Sequence, residues 1–460
     1  MKHQCNHARL LAAVLLCVNL QPDNRSTRIA WLSRKAIEIK SIDPTIANDD
    51  FADLKPLKAA IGNSRIVVLG EQSHGDGATF LAKGRLVKFL HERMGFDVLA
   101  WEGGLFNCHD MDGAVRDPSV PIDEAMRRGL YPIWATSAQV RPVFDYARAV
   151  AATDRPLEMI GFDHQFSGTG GITRWRDKLI GFIDKVDRTI LPDGLRSSLL
   201  NDPRNIVFKP DSKAADIRLV AEKWKALPEV FDKARAKLES THGAREVALM
   251  RRTVDDALIS LEGLARFRDA KGEFKTADNN LRDQRMGENL VWLANERYKN
   301  RRIIVWAATF HTLHEPSSIK LGPDATFSYE GVITMGQVAG KALKNAIYTI
   351  GFTAAEGKAG NVTGGPTLDL KPPADGSFED LCLAVGHRFL FVNLRTLPAA
   401  HWLRSPVKAG LLNYSPIETD WTRQMDGLVF TRTMFPSTTG PMSPEGVVLT
   451  EQSSMRKYRN

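Results

Sequence analysis

The sequence predicts an α/β protein built on a mostly parallel sheet, and three observations predict it. Short, near-continuous apolar runs recur at residues 65–69, 97–101, 157–162, 302–307 and 346–352, the pattern of strands covered on both faces. Between the first two lies FLAKGRLVKFLHERMG, with Phe80, Leu81, Leu86, Val87, Leu90 and Met94 at helical spacing and Gly95 as a stop. Strand, helix and strand within about 35 residues make a βαβ unit, with parallel strands and a right-handed crossover. From Thr173 to Tyr298 the strand signal vanishes and amphipathic helices take over, as in AADIRLVAEKWKALPEVFDKARAKLES.

Taken along the chain, 1–27 resembles a leader, 28–172 the first part of the α/β core and 173–298 a helical insertion. The core resumes over 299–355, a smaller α+β unit follows over 356–435, and a Ser/Thr/Pro/Gly-rich tail over 436–460 is expected to be flexible. In the leader, Lys2 and Arg9 precede an apolar run over 10–20, the length of a signal-peptide core and too short for a membrane-spanning helix. No small-x-small cleavage site follows, and Leu16 before Cys17 is too large for a lipoprotein motif. Export to the periplasm or medium and a cytoplasmic chain with a misplaced start codon both stay open. No other stretch approaches the roughly 18 apolar residues of a span, so no integral membrane segment is expected in the mature chain.

Composition narrows the partners. The 460 residues are 43% hydrophobic and 25% charged, ordinary for a globular protein. The 62 basic residues exceed the 54 acidic ones, giving +8, but they are scattered. Without a basic run or basic–aromatic alternation, no nucleic-acid partner is expected. Cys5 and Cys17 lie in the leader, which leaves Cys108 and Cys382, too few for a zinc ribbon or disulfide framework and expected as buried thiols, with a single bridge the alternative if the chain is exported.

In an open parallel sheet, ligands bind outside the carboxyl ends of the strands. The first strand there delivers Glu71 and His74, the second Glu102, the third Asp163 and His164, and the fourth leads to His311 and His314. Acidic or histidine ends on four strands of one sheet predict a functional cleft. A histidine held by a carboxylate can take a proton from water near neutral pH, and a second carboxylate can protonate a leaving alkoxide or position the water. The set suits hydrolysis without a protein nucleophile, with a rate falling below pH about 6.5 as His74 protonates. Ser73 does not fit a nucleophile elbow, since Glu71 stands where that turn needs glycine. His311-x-x-His314 with Glu71 and His74 is the alternative, a metal site, but no His-Glu-x-x-His helix supports it. SGTGG at 167–171 lacks the spacing of a phosphate loop and reads as a turn.

At these residues the chain resembles the erythromycin esterase family. The resemblance rests on VVLGEQSHG, then GFDVLAWEGG, IGFDHQ, LRDQRMGENLVWL, IIVWAATFH, TMGQVAGKAL, YTIGFTAAEG and MDGLVFTR, in order from Trp31 to Arg432. It implies a three-layer α/β/α core with a helical insertion and a smaller α+β unit. It also implies a cleft where esters or macrolactones, macrolide antibiotics among them, are cleaved by histidine-activated water; no cofactor is expected and no metal ligand is assigned. By position, His74 is the expected base, with Glu71 beside it, Glu102 as second carboxylate and His311 as the last histidine of the family's Trp-Ala-His-Asn-x-His strand end. Lys83 falls where the family places a basic side chain, and Lys83, Asp163, His164 and His314 are taken as substrate-binding candidates. The sequence departs at Ala308 and Thr309, where the family has His and Asn, at Ala78 in place of a glutamate, and at Gly287. Those changes put macrolide cleavage in doubt and leave two further expectations, a hydrolase for another ester or a non-catalytic small-molecule or haem binder.

Overall fold

The computed structural model describes residues 24–439, apart from 208, 210, 272, 274 and 361–365. The leader up to residue 23 and the tail from residue 440 lie outside the described residues. The last positions assigned to the leader belong to the fold. Asn24 caps helix Arg25–Lys35 by accepting the Thr27 N–H, and Arg25 pairs with Asp380 at 2.9 Å.

Eleven strands are described: β1 Ile37–Glu38, β2 Ile66–Leu69, β3 Val98–Gly104, β4 Glu158–Asp163, β5 Ile303–Trp306, β6 Ile347–Ala359, β7 Leu368–Asp369, β8 Phe389–Asn393, β9 Val407–Leu412, β10 Ser415–Thr419 and β11 Gly427–Met434. The main sheet runs β1-β8-β11-β6-β2-β5-β3-β4, with β7 on the far end of β6. From β11 to β4 every neighbouring pair is parallel, while β8 and β1 extend the edge antiparallel. The five apolar runs seen in the sequence are β2, β3, β4, β5 and β6.

Those runs are continuous because both faces are covered. Alternate residues point to opposite faces of a strand, so Val67, Leu69, Leu99 and Trp306 pack with Phe80, Leu86 and Leu90 of helix Gly77–Met94. Ile66, Val68, Ala100 and Val305 pack on the other face with Met286 and Leu290 of helix Thr276–Trp292. The result is the expected three-layer α/β/α core.

Between β4 and β5 the described residues are helical, and the insertion has its own apolar cluster around Trp175, Trp224, Phe231 and Leu261. Segment 356–435 likewise has its own cluster, around Phe378, Leu381, Leu411 and Trp421. It is not a separate sheet, however. Its strands β8 and β11 complete the main sheet, and only the hairpin β9–β10 stands apart. That hairpin escapes the sequence reading because its turn, Asn413–Tyr414, lacks the Asn-Gly signature. Cys108 and Cys382 are buried free thiols.

Candidate active site

The strands β2, β5, β3 and β4 are consecutive in the sheet, so their carboxyl ends form one rim. Glu71 follows β2. Glu102 lies in an irregular stretch of β3, where Trp101 pairs with Gly161 but Gly104 pairs with Asp163. Three steps on one strand thus match two on the other, a bulge, and bulges re-aim side chains next to active sites. Gly161 makes it possible, since a Cβ there would lie 2.3 Å from the Gly103 carbonyl oxygen.

Glu71 is the hub of the first half of the site. Its Oε1 accepts from His74 Nδ1 at 2.8 Å and from the Trp134 indole N–H at 3.1 Å, and its Oε2 accepts from Lys83 Nζ at 2.6 Å. The Lys83 ammonium also sits 4.2 Å from the centre of the Trp306 ring. Burial pulls the Lys83 pKa down to about 8, against the pull of Glu71. Trp134 meets His74 edge to face at 5.2 Å between ring centres. With Nδ1 engaged by Glu71, Nε2 is the ring nitrogen left for chemistry, and His74 lines the cavity with 24% of its side chain exposed.

Glu102 is the hub of the second half. The Ala308 N–H donates to its Oε2 at 2.8 Å, Arg282 donates to its Oε1 at 3.0 Å, and His311 Nε2 lies 3.3 Å from Oε1. Arg282 also reaches Asp163 Oδ2 at 2.7 Å, while His311 Nδ1 donates to Asp283 at 2.8 Å. Burial would raise the Glu102 carboxyl, but His311 and Arg282 hold it well below its usual range. Lys83, Arg282 and His311 therefore face four carboxylates, those of Glu71, Glu102, Asp163 and Asp283.

These halves meet at a cavity of about 640 Å³. Its charged side presents His74, Arg282 and His311, and its apolar side Phe310, Phe327, Tyr329 and Ile417. Of the expected catalytic residues, Glu71, His74 and His311 line it, and Glu102 stands directly behind His311 and Arg282. None of the four substrate-binding candidates lines it. Lys83 is fully buried and holds Glu71, and Asp163 is fully buried and holds Arg282. His164 follows Asp163 in the chain and turns to the insertion, bonding Ser260 Oγ at 3.0 Å, where burial lowers its pKa to about 4. His314 bonds Thr349 Oγ1 at 2.8 Å. Neither replaces the histidine absent at Ala308, and the metal set built on His314 is not assembled. Among the described residues no group of three or more His, Cys, Asp or Glu is arranged to hold a metal ion.

Three residues of the site were missed. Arg282 and Asp283 come from helix Thr276–Trp292, and Trp134 from the short helix Pro132–Ala135. The first two lie in the motif LRDQRMGENLVWL, where adjacent Arg and Asp on an otherwise amphipathic helix are the available signal.

The histidines make a pH prediction. Burial works against a charged His74, but its bond to Glu71 and the charge of Glu102 outweigh that and raise it above 6.5. Burial also opposes a charged His311, yet Asp283 and Glu102 push it up to about 10. For turnover that needs neutral His74 and charged His311, kcat/KM should rise with an apparent pKa above 6.5 and fall towards pH 10. This moves the acid limb upward from the value the sequence suggested. Stability runs the other way. Raised folded pKa values stabilise fully below 6.5, and the contribution disappears as pH rises through them, for His311 at about 10. An acid limb centred below 6.5 would remove His74 from the base role.

A charged, histidine-bearing cleft at the carboxyl edge of a parallel sheet marks an α/β protein of the enzyme class. The chain belongs to the erythromycin esterase family, whose profile matches residues 91–434. The match takes in Glu102, Asp163, Arg282 and His311 and begins past Glu71 and His74. It is similar to "Putative hydrolase YbfO" of Bacillus subtilis (strain 168), 24% identical across 93% of this chain and 97% of that protein. Erythromycin esterase type II of Escherichia coli is 22% identical across 80% of this chain and 89% of its own. A crystal structure of a Bacillus cereus protein shares the fold, with a TM-score of 0.74, 22% identity and coverage of 91% of this chain and 100% of that one. Family and relatives together indicate a hydrolase.

Proposed function

We propose that this hydrolase cleaves a carboxylic ester or lactone with water activated by His74. The observation that carries the reading is the Glu71–His74 pair at the cavity wall, 2.8 Å apart, on the same cavity as Arg282 and His311. Glu71 orients the ring and favours its protonated form, so Nε2 can take a proton from water as the oxygen attacks the carbonyl carbon. The negative charge that develops on the carbonyl oxygen would be met by Arg282 and by His311, a cation at neutral pH. On collapse the His74 imidazolium returns its proton to the departing alkoxide, which leaves acid, alcohol and neutral His74. Lys83 and Trp134 serve by fixing Glu71.

A macrolactone is one candidate substrate. Position 308 offers only a backbone N–H to Glu102 and a methyl side chain where the family motif has an imidazole, and the loss of that imidazole favours a less demanding ester over a macrolide. The apolar side formed by Phe310, Phe327 and Tyr329 suits an alcohol or acyl group with a sizeable apolar face. Mass spectrometry after incubation with erythromycin, simpler lactones and aryl esters tests this. The expected result is a gain of one water on at least one substrate, lost in His74→Ala and extended towards erythromycin in Ala308→His. Turnover of an ester that persists in His74→Ala would overturn the base assignment, and no conversion across the panel would favour a binding role.

A further inference from the structure

One wall of the cavity is hairpin β9–β10, contributed by Leu412, Asn413, Ser415 and Ile417. The base of the hairpin is anchored, with Ala409, Leu411 and Ile417 in the apolar cluster of this segment. At the tip Asn413, Ser415 and Pro416 are exposed, while Tyr414 packs against the apolar cluster of the main sheet. Its two-residue turn is left-handed at both positions, with φ of 49° at Asn413 and 58° at Tyr414. Hairpins use this geometry but ordinarily fill it with Asn-Gly. Asparagine tolerates it. A bulky tyrosine does so only under strain, and such strain persists where the surroundings hold the residue in place.

What holds it is the loop that carries His74. The Tyr414 hydroxyl donates to Asp76 Oδ2 at 2.7 Å, and the Asn413 N–H donates to the Gln72 carbonyl at 3.0 Å. Asp76 is fully buried, and its other oxygen accepts the Gly360 N–H at 3.3 Å. Gln72 and Asp76 stand two residues before and two after His74, so both turn residues grip the loop on either side of the base. None of these contacts has a part in the proton transfers above, and a buried carboxyl with a strained tyrosine calls for a reason.

We propose that Tyr414 is a positioning and specificity-determining residue: through Asp76 it latches the hairpin onto the His74 loop, which fixes the aim of the imidazole and the width of the cavity. The catalytic part rests on His74 being the base; the latch itself does not. With the latch closed, the hairpin tip limits the substrate. With it broken, bulkier esters gain access while His74 loses its aim.

Hydrogen exchange followed by mass spectrometry on the full chain tests the latch without any substrate. In Tyr414→Phe, residues 70–77 and 407–419 should exchange about tenfold faster, the scale of one lost hydrogen bond to a carboxylate, while β2 and β5 stay as protected as before. In Asp76→Asn the amide can still accept the Gly360 N–H and donate to the Tyr414 oxygen, so most protection should be kept. Kinetics on p-nitrophenyl acetate and a bulky aryl ester then test the role. Tyr414→Phe should lower kcat on the small ester and raise the bulky-to-small ratio of kcat/KM. Unchanged exchange in both segments, or a uniform rise across the chain, rejects the latch. Altered exchange with unaltered kcat and size preference rejects the positioning role. If wild type turns over no ester, the ester reading falls and the exchange data still decide the latch.

Discussion

His74→Ala is expected to lower kcat/KM by about 10²–10⁴-fold on any ester the chain cleaves, the usual worth of a positioned general base. The fold should survive it. The ring is partly exposed, and removing it leaves Glu71 still bonded to Lys83 and Trp134. The residual rate belongs to Arg282 and His311, which remain to receive developing charge. Glu71→Gln should cost turnover too, for another reason. It keeps the shape of the side chain but removes the charge that raises His74, and it leaves the Lys83 ammonium without its counter-charge. The two variants therefore separate by stability: the histidine change should be nearly silent in a urea melt and the glutamate change should not. Equal loss of stability in both would mean that His74 acts as a structural cap.

The strands were legible because the sheet is covered on both faces, which leaves runs such as Ile66–Leu69 and Ile303–Trp306 no polar side to show. Given those strands, the rule that sites gather at carboxyl ends picks out Glu71, His74, Glu102 and His311, which the fold brings together at one rim. It fails at His164 for a reason the sequence contains. Asp163 ends β4 facing Arg282, and the next residue along a strand points to the other face. It fails at His314 because the short helix Thr309–Thr312 ends before it and the chain has already turned towards β6. Arg282 and Asp283 were hidden differently. They are more than a hundred residues from Glu102 in sequence, and a charged pair on an amphipathic helix reads as solvated surface until the tertiary fold turns it inward. Tyr414 gave no signal at all, since nothing local tells that a tyrosine in a hairpin turn meets a carboxyl 338 residues earlier.

Lys83→Met should be the most destabilising single change at the site, by about 3–5 kcal/mol, because it strands a charge in a place without water. Both partners of the pair have side chains that are 0% exposed. The lysine cannot be read as an ornament on a carboxylate that would manage alone, and methionine fills nearly the same volume over the Trp306 ring. Volume is conserved and charge is not, so a large loss would isolate the electrostatic part. The double variant Lys83→Met with Glu71→Gln carries the argument further. With both charges gone, no uncompensated ion is buried, and replacing a buried pair by neutral groups is often close to neutral in stability. Most of the loss in the single variants should therefore return in the double variant, read as a recovered urea midpoint with an unchanged slope. Activity should not return with it, since His74 would still lack the carboxylate that orients it. Recovery of stability without recovery of turnover would show the Lys83–Glu71 pair to be retained for what it does to His74. An additive loss in the double variant would instead place Lys83 among the packing residues of the core and leave the aim of His74 to Trp134.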